Sequence, residues 1–251
     1  MNNGIDQIAD LIRSSKSGVI LSGAGISTPS GIPDFRSIGS GLWSKYNPME
    51  VASLSAFRYN PEKVFNWLRP LAKKLTDAKP NAAHYAVAHL EQMGLINTVI
   101  TQNIDGLHHQ AGSLHVLEVH GSLQTMTCIC CYQQQDADDY VEPYIEHGEI
   151  PRCPECDSIL KPDIVFYEEQ LPVQTWNQAR QAAESCDLML VTGSSLEVVP
   201  VAGLPMRAVE NQAHLIIVNQ TQTYIDGRAD AILRGDLAEI LPKIVAEVTD
   251  E

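Results

Sequence analysis

Between residues 19 and 36 the chain reads Val-Ile-Leu-Ser-Gly-Ala-Gly-Ile-Ser-Thr-Pro-Ser-Gly-Ile-Pro-Asp-Phe-Arg, and no other stretch limits the fold as much. The apolar residues Val19, Ile20 and Leu21 read as a buried strand. Gly23 and Gly25 then permit a turn tight enough for backbone N–H groups to face a phosphate, which begins a nucleotide site. A dinucleotide fingerprint would continue as G-x-G-x-x-G into a helix, with an acidic ribose anchor about 20 residues on. Here the third glycine is missing from its place, and Pro29, Gly31 and Pro33 break up any helix, so the loop runs on into Asp34, Phe35 and Arg36. A charged, aromatic loop stiffened by Gly and Pro is of little use to a plain dehydrogenase.

The remaining apolar runs repeat one event. Strands at Leu95 to Ile100, Val116 to Leu117, Leu188 to Val191 and Leu215 to Val218 each deliver a polar or Gly-rich loop: Gln102 to Asp105, His120, Gly193 to Ser195, and Asn219. In open parallel sheets ligands sit outside the carboxyl ends of the strands, so these loops should converge on one crevice. Helices are expected on Ile5, Ile8, Leu11 and Ile12, from Asn81 to Met93, and after an Asp236/Glu239 capping box. The expected fold is α/β, a doubly wound parallel sheet. Between Ser37 and Lys79 lies an aromatic helical insertion, whose Trp43, Trp67, Phe57 and Phe65 read as core in preference to ligand contacts.

The 251 residues are 44% hydrophobic, ample for one large domain with an insertion. A net charge of -14, from 17 basic against 31 acidic residues, argues against a nucleic-acid or anionic-membrane binder and suits basic peptides. No secretory signal and no apolar run approaching about 18 residues is seen, so a cytoplasmic location is the expectation.

Five of the six cysteines fall between residues 128 and 156. Cys128-x-x-Cys131 and Cys153-x-x-Cys156, 21 residues apart, can supply four thiolates in a tetrahedron, the pattern of one structural zinc ion with no open position for chemistry. Cys130 is read as a bystander and Cys186 as core.

On Gly23 to Ser27, Gly31 to Arg36, Gln102 to Asp105, Leu117 to Gly121 and the paired knuckles, in that order, the chain resembles the sirtuins in their short bacterial or archaeal form, NAD-dependent protein-lysine deacylases. The resemblance implies a Rossmann-like NAD domain from residues 1–36, 80–122 and 163–251, with a helical module at 37–79 and a zinc ribbon at 123–162. It implies His120 as general base, with Asn103 and Gln102 positioning the ribose and a water, and Asp105 with Ile104 recognising nicotinamide. Phe35 would shield the reacting ribose face, and Asp34 with Arg36 would order the loop. Ser194, Ser195 and Asn219 would hold the phosphates and adenosine ribose. The same likeness adds Gly23, Ala24, Gly25, Ile26, Ser27, Thr28, Ile32, Pro33, Gly193, Gln220 and Leu237 to the cofactor set, and gives Val165, Phe166 and Tyr167 to the substrate peptide as an added strand.

The reaction so implied displaces nicotinamide from NAD by the acetyl-lysine carbonyl oxygen, and yields free lysine and O-acetyl-ADP-ribose. Acetyl-lysine proteins or peptides are the expected partners, and nicotinamide is a product and inhibitor. Two departures matter. Where the family pattern has an aromatic residue, glycine and glutamate, this chain has Tyr167, Glu168 and Glu169. Where acid-acyl sirtuins carry Tyr-x-x-Arg, it has Leu68 and Leu71, which favours neutral acyl groups. Protein ADP-ribosyl transfer and a non-catalytic NAD-binding regulatory module are the rival readings.

Overall fold

The computed structural model describes residues 2–249 apart from 38 and 40; residues 1, 38, 40, 250 and 251 of the expected modules lie outside the described residues. Six parallel strands form the main sheet: β1 (Gly18–Ser22), β2 (Ile96–Thr101), β3 (Val116–Glu118), β7 (Leu188–Thr192), β8 (His214–Val218) and β9 (Ala231–Leu233), in the order β3-β2-β1-β7-β8-β9. A three-stranded antiparallel sheet holds β4 (Gly121–Cys128) between β5 (Gln134–Asp136) and β6 (Leu160–Ile164).

β1 and β7 are buried along their whole length, which is why they read in sequence as unbroken apolar runs. Helices cover both faces. α1 (Asn2–Ser14), α5 (Ala82–Gln92) and α10 (Leu237–Thr249) pack on one through Ile8, Ile12, Val87, Leu90, Leu241 and Ile244. α8 (Val173–Ser185) and α9 (Leu204–Glu210) pack on the other through Ala179, Ala183 and Leu204. No helix among the described residues is long and apolar enough to cross a membrane.

The register fixes the site. Ser22 aligns with Thr101 on β2 and with Thr192 on β7, and Thr192 aligns with Val218 on β8. The loops beginning at Gly23, Gln102, Gly193 and Asn219 therefore leave the sheet at one level. The chain builds outward from β1 in both directions, so the crevice between β1 and β7 is the topological switch point.

The insertion comprises α2 (Pro48–Val51), α3 (Leu54–Tyr59) and α4 (Pro61–Asp77); Asn60 caps α4 by accepting from the Lys63 N–H at 3.2 Å. Its Phe57 and Phe65 are core, together with Tyr144 of α7 (Asp138–His147) and Phe166. The short α6 (Leu107–Gln110) follows the loop after β2. Neither α7, with Pro143 inside it, nor the three-residue edge strand β9 is announced by the sequence pattern.

Candidate active site

The loop after β1 makes two short 3₁₀ turns, Ala24–Ile26 and Thr28–Ser30, and no α-helix. The N–H groups of its two glycines are taken up within the protein. The Gly23 N–H donates to the Thr192 carbonyl at 3.0 Å and the Gly25 N–H to the Gly193 carbonyl at 2.8 Å, so neither is left to face a phosphate. What these positions require is close approach of two backbones: a Cβ on Gly25 would lie 2.8 Å from the Gly193 Cα, and one on Gly193 2.5 Å from the Ile26 nitrogen. Asn81 ties α5 to this loop, its Nδ2 donating to the Ile26 carbonyl and the Ser30 hydroxyl, each at 2.9 Å.

Under the loop lies a buried polar network. The Ser27 hydroxyl donates to Asp105 Oδ2 at 2.6 Å, and Asn103 Nδ2 donates to Ser27 Oγ at 3.1 Å and to the Gly23 carbonyl at 3.2 Å. His84 Nδ1 accepts from the Asn81 N–H at 3.3 Å, which places its proton on Nε2, 3.4 Å from Ser27 Oγ. Burial pushes the His84 pKa down to about 4 against the pull of Asp105, and that of His108 to about 3. Both rings are neutral structural groups.

His120 Nδ1 lies 3.0 Å from the Gln102 carbonyl oxygen. A carbonyl can only accept, so Nδ1 carries the proton and Nε2 is left as a base. Burial, with Arg36 nearby, holds this imidazole below the ordinary histidine value although the Gln102 bond opposes it, so the neutral form dominates near pH 7.

His120 opens onto a cavity of about 750 Å³. Of the residues expected at the site, Ala24, Ser27, Ile32, Pro33, Phe35, Arg36, Gln102, Asn103, Ile104, Asp105, Val165, Phe166 and Tyr167 line it. Ser194 is attached indirectly, through the Gln102 Nε2 that donates to its hydroxyl at 2.8 Å, and Asn219 Nδ2 donates to the Ser194 carbonyl at 2.9 Å. Gly23, Gly25, Ile26, Thr28, Asp34, Gly193, Ser195 and Gln220 are outside the lining. Leu237 is buried in the core, and a Cβ added to Gly193 would come within 2.9 Å of one of its methyls.

Among the lining residues that were not expected, two groups stand out. Trp43 and Trp67, read as core, stack with ring centroids 5.7 Å apart and form part of the wall, with Phe35 5.1 Å from Trp43. Glu197 to Pro200 lines the cavity together with Leu171 and Trp176, as does the segment from Val165 to Gln170. Only the position of Glu197 to Pro200, just after the expected loop Gly193 to Ser195, could have signalled it. Arg36 joins these walls, with Nη2 donating to the Tyr167 hydroxyl at 3.1 Å and Nε 3.2 Å from Glu197.

The four knuckle cysteines converge: one sulfur from each of Cys128, Cys131, Cys153 and Cys156 falls within 4.8 Å of the others. Cys128 to Cys156 is 3.5 Å and Cys131 to Cys153 is 3.6 Å, spacings that a tetrahedral zinc with sulfur ligands at about 2.3 Å would accommodate. Cys130 is exposed outside the cluster, its N–H 3.4 Å from Cys128 Sγ.

A sequence model of the Sir2 family matches residues 23–200. The chain is 46% identical to the NAD-dependent protein deacylase 2 of Archaeoglobus fulgidus, over 99% of this chain and 97% of that protein. It is 44% identical to the NAD-dependent protein deacetylase of Sulfolobus acidocaldarius, over 96% and 94%. Among solved structures, a Sir2–p53 peptide–NAD+ complex superposes with a TM-score of 0.88 at 38% identity, covering 96% of this chain and 97% of that one. Sir2Af2 bound to a myristoylated histone peptide gives 0.85 at 40% identity, covering 99% and 97%.

Proposed function

The chain belongs to the Sir2 family, and from that premise we propose that its cavity carries out NAD-dependent deacetylation of protein lysines. The observation that carries this reading is His120, whose Nδ1 is held on the Gln102 carbonyl while Nε2 stays free inside a largely apolar cavity.

NAD supplies the electrophilic ribose carbon and nicotinamide as leaving group; the rest of the work falls to the chain's own residues. His120 Nε2 takes a proton from a ribose hydroxyl. Asn103, with Nδ2 fixed on Ser27 and Gly23, keeps Oδ1 for a ribose hydroxyl or a water. Asp105, oriented by the Ser27 hydroxyl and the Leu107 N–H, recognises the nicotinamide amide. Phe35 excludes water from the reacting face. The Gly25 and Gly193 loops, locked together, carry the phosphates with Ser194 and Ser195, and Asn219 orders that loop. The peptide lies between Val165 to Tyr167 and Glu197 to Pro200. Residues 37–79 and 123–162 form the small module above the NAD domain, and one zinc ion held by the four cysteines keeps its ribbon folded.

The acyl pocket is neutral. Leu68, Leu71, Leu75 and Ile32 line it, while Arg69 is turned away, its Nε donating to the Ile145 carbonyl at 2.9 Å. This apolar depth supports longer acyl chains in addition to acetyl, as does a relative that holds a myristoylated peptide.

Mass spectrometry of acetyl- and myristoyl-lysine peptides, with and without NAD, tests the reading while nicotinamide and O-acyl-ADP-ribose are quantified. Equal amounts of deacylated peptide and both products are expected. Nicotinamide release with the acyl group intact would indicate ADP-ribosyl transfer instead, and binding without turnover would indicate a regulatory module.

A further inference from the structure

Glu168 follows the peptide wall with φ at 72°, in the left-handed region where side chains are disfavoured and glycine is free. The glutamate held there makes a contact that glycine could not. Its Oε2 accepts from the Ser55 N–H at 2.9 Å. Beside it the Tyr167 N–H donates to the Ala52 carbonyl at 2.9 Å, and the Leu54 N–H donates to the Tyr167 carbonyl at 3.0 Å. The next amide, Ala56, is taken by the Ser53 hydroxyl at 3.0 Å. The first three N–H groups of α3 are thus satisfied, two of them by Tyr167 and Glu168. Hydrogen bonding from Ser55 comes first among the causes that keep the Glu168 carboxylate below its ordinary pKa, with Arg58 adding to it, so the group is charged near neutral pH.

This clasp has a consequence inside the cavity. Tyr167 stands edge-on to Trp43, with centroids 6.2 Å apart, and its hydroxyl receives Arg36, which also reaches Glu197 of the second lining segment. The placing of the Tyr167 ring and hydroxyl therefore depends on how firmly its own backbone is tied to residues 52–55.

Resting on the deacetylase reading above, we propose that Glu168 is a positioning residue for the acyl-peptide groove: by binding the Ser55 amide it fixes Tyr167, and through Tyr167 the distance between the groove's two walls. Three variants separate positioning from folding. Glu168→Gln keeps an oxygen acceptor at full reach. Glu168→Asn suits the left-handed backbone but is too short to reach Ser55, and Glu168→Gly removes both the strain and the clasp.

The KM for an acetyl-lysine peptide should rise about three- to tenfold in the Asn and Gly variants. Their kcat and NAD KM should stay at wild-type values, the Tm should move by no more than about 3 °C, and the Gln variant should match wild type. A wild-type peptide KM in the Asn and Gly variants would overturn the proposal, as would parallel rises in the peptide and NAD constants with a fall in Tm. Peptide binding by calorimetry, which needs no turnover, is measured alongside. A wild-type protein that binds peptide without turning it over would remove the functional reading, yet a weaker Kd in the Asn variant would still support the role of Glu168.

Discussion

The Nδ1 of His120 sits 3.0 Å from the main-chain oxygen of Gln102, the first residue beyond β2, so the backbone that carries the Gln102 to Asp105 loop also fixes the tautomer of this imidazole. Loss of the imidazole should therefore remove chemistry and leave structure. His120→Ala is expected to lower kcat by about 10² to 10⁴, with Tm and zinc content unchanged. The acid limb of kcat/KM in the parent protein should lie below pH 6.5, because burial depresses this group. A limb above that value would show that another residue is being titrated.

The contact between the Gly25 and Gly193 loops makes a second, steric prediction. A methyl at residue 25 would meet the Gly193 Cα and oxygen at 2.8 Å, backbone atoms that no rotamer change can move aside. Gly25→Ala should force the loops apart, cost about 1–3 kcal/mol of stability, and weaken NAD binding about tenfold or more. Zinc content should be unaffected. Isothermal titration with NAD decides the matter, and wild-type affinity would show that the phosphates do not rest on this junction.

These two sites differ in how far the sequence announced them. The loops at the ends of β1, β2, β7 and β8 were legible because fully buried parallel strands leave unbroken apolar runs, and parallel pairing then brings their carboxyl ends level. The paired C-x-x-C knuckles were legible because metal geometry limits ligand spacing. Trp43 and Trp67 were not, since an aromatic in a helical module looks alike whether it faces a core or a cavity. Their stacking follows only from how the insertion folds over the sheet. The role of Gly25 was half legible: the need for glycine was visible, but its partner Gly193 follows β7, a neighbour in the sheet that is far off in sequence.

The cysteine cluster predicts a clean contrast between neighbours. Cys153 is buried and its sulfur sits 3.6 Å from that of Cys131, whereas Cys130 is exposed and contributes only its N–H, 3.4 Å from Cys128 Sγ. Cys153→Ser should lose zinc and destabilise the sheet of β4, β5 and β6, and Cys130→Ser should keep both metal and Tm. Metal analysis with thermal unfolding checks each. Full zinc in the Cys153 variant, or loss of zinc in the Cys130 variant, would redraw the ligand set.

Buried titratable groups set how stability depends on pH. His84 and His108 are neutral in both folded and unfolded chains above 6.5, their ordinary value. Between 6.5 and their folded values, about 4 and about 3, only the unfolded chain takes up the proton, so stability falls as pH falls. Glu118 acts in the opposite sense. Burial and then Asp105 raise its pKa from 4.5 to about 7, so between those values only the folded chain holds the proton and stability falls as pH rises. From pH 4.5 to 6.5 two histidine protons oppose one carboxyl proton, and His120, also depressed, adds to the histidines. Unfolding free energy should therefore increase with pH in this window by about 1.4 kcal/mol per unit for each net proton. Glu118→Gln removes the opposing group and should steepen the slope by about one proton. Urea melts at several pH values measure both. A slope that is flat or negative would contradict the neutral histidines, and an unchanged slope in the Gln variant would contradict a protonated Glu118.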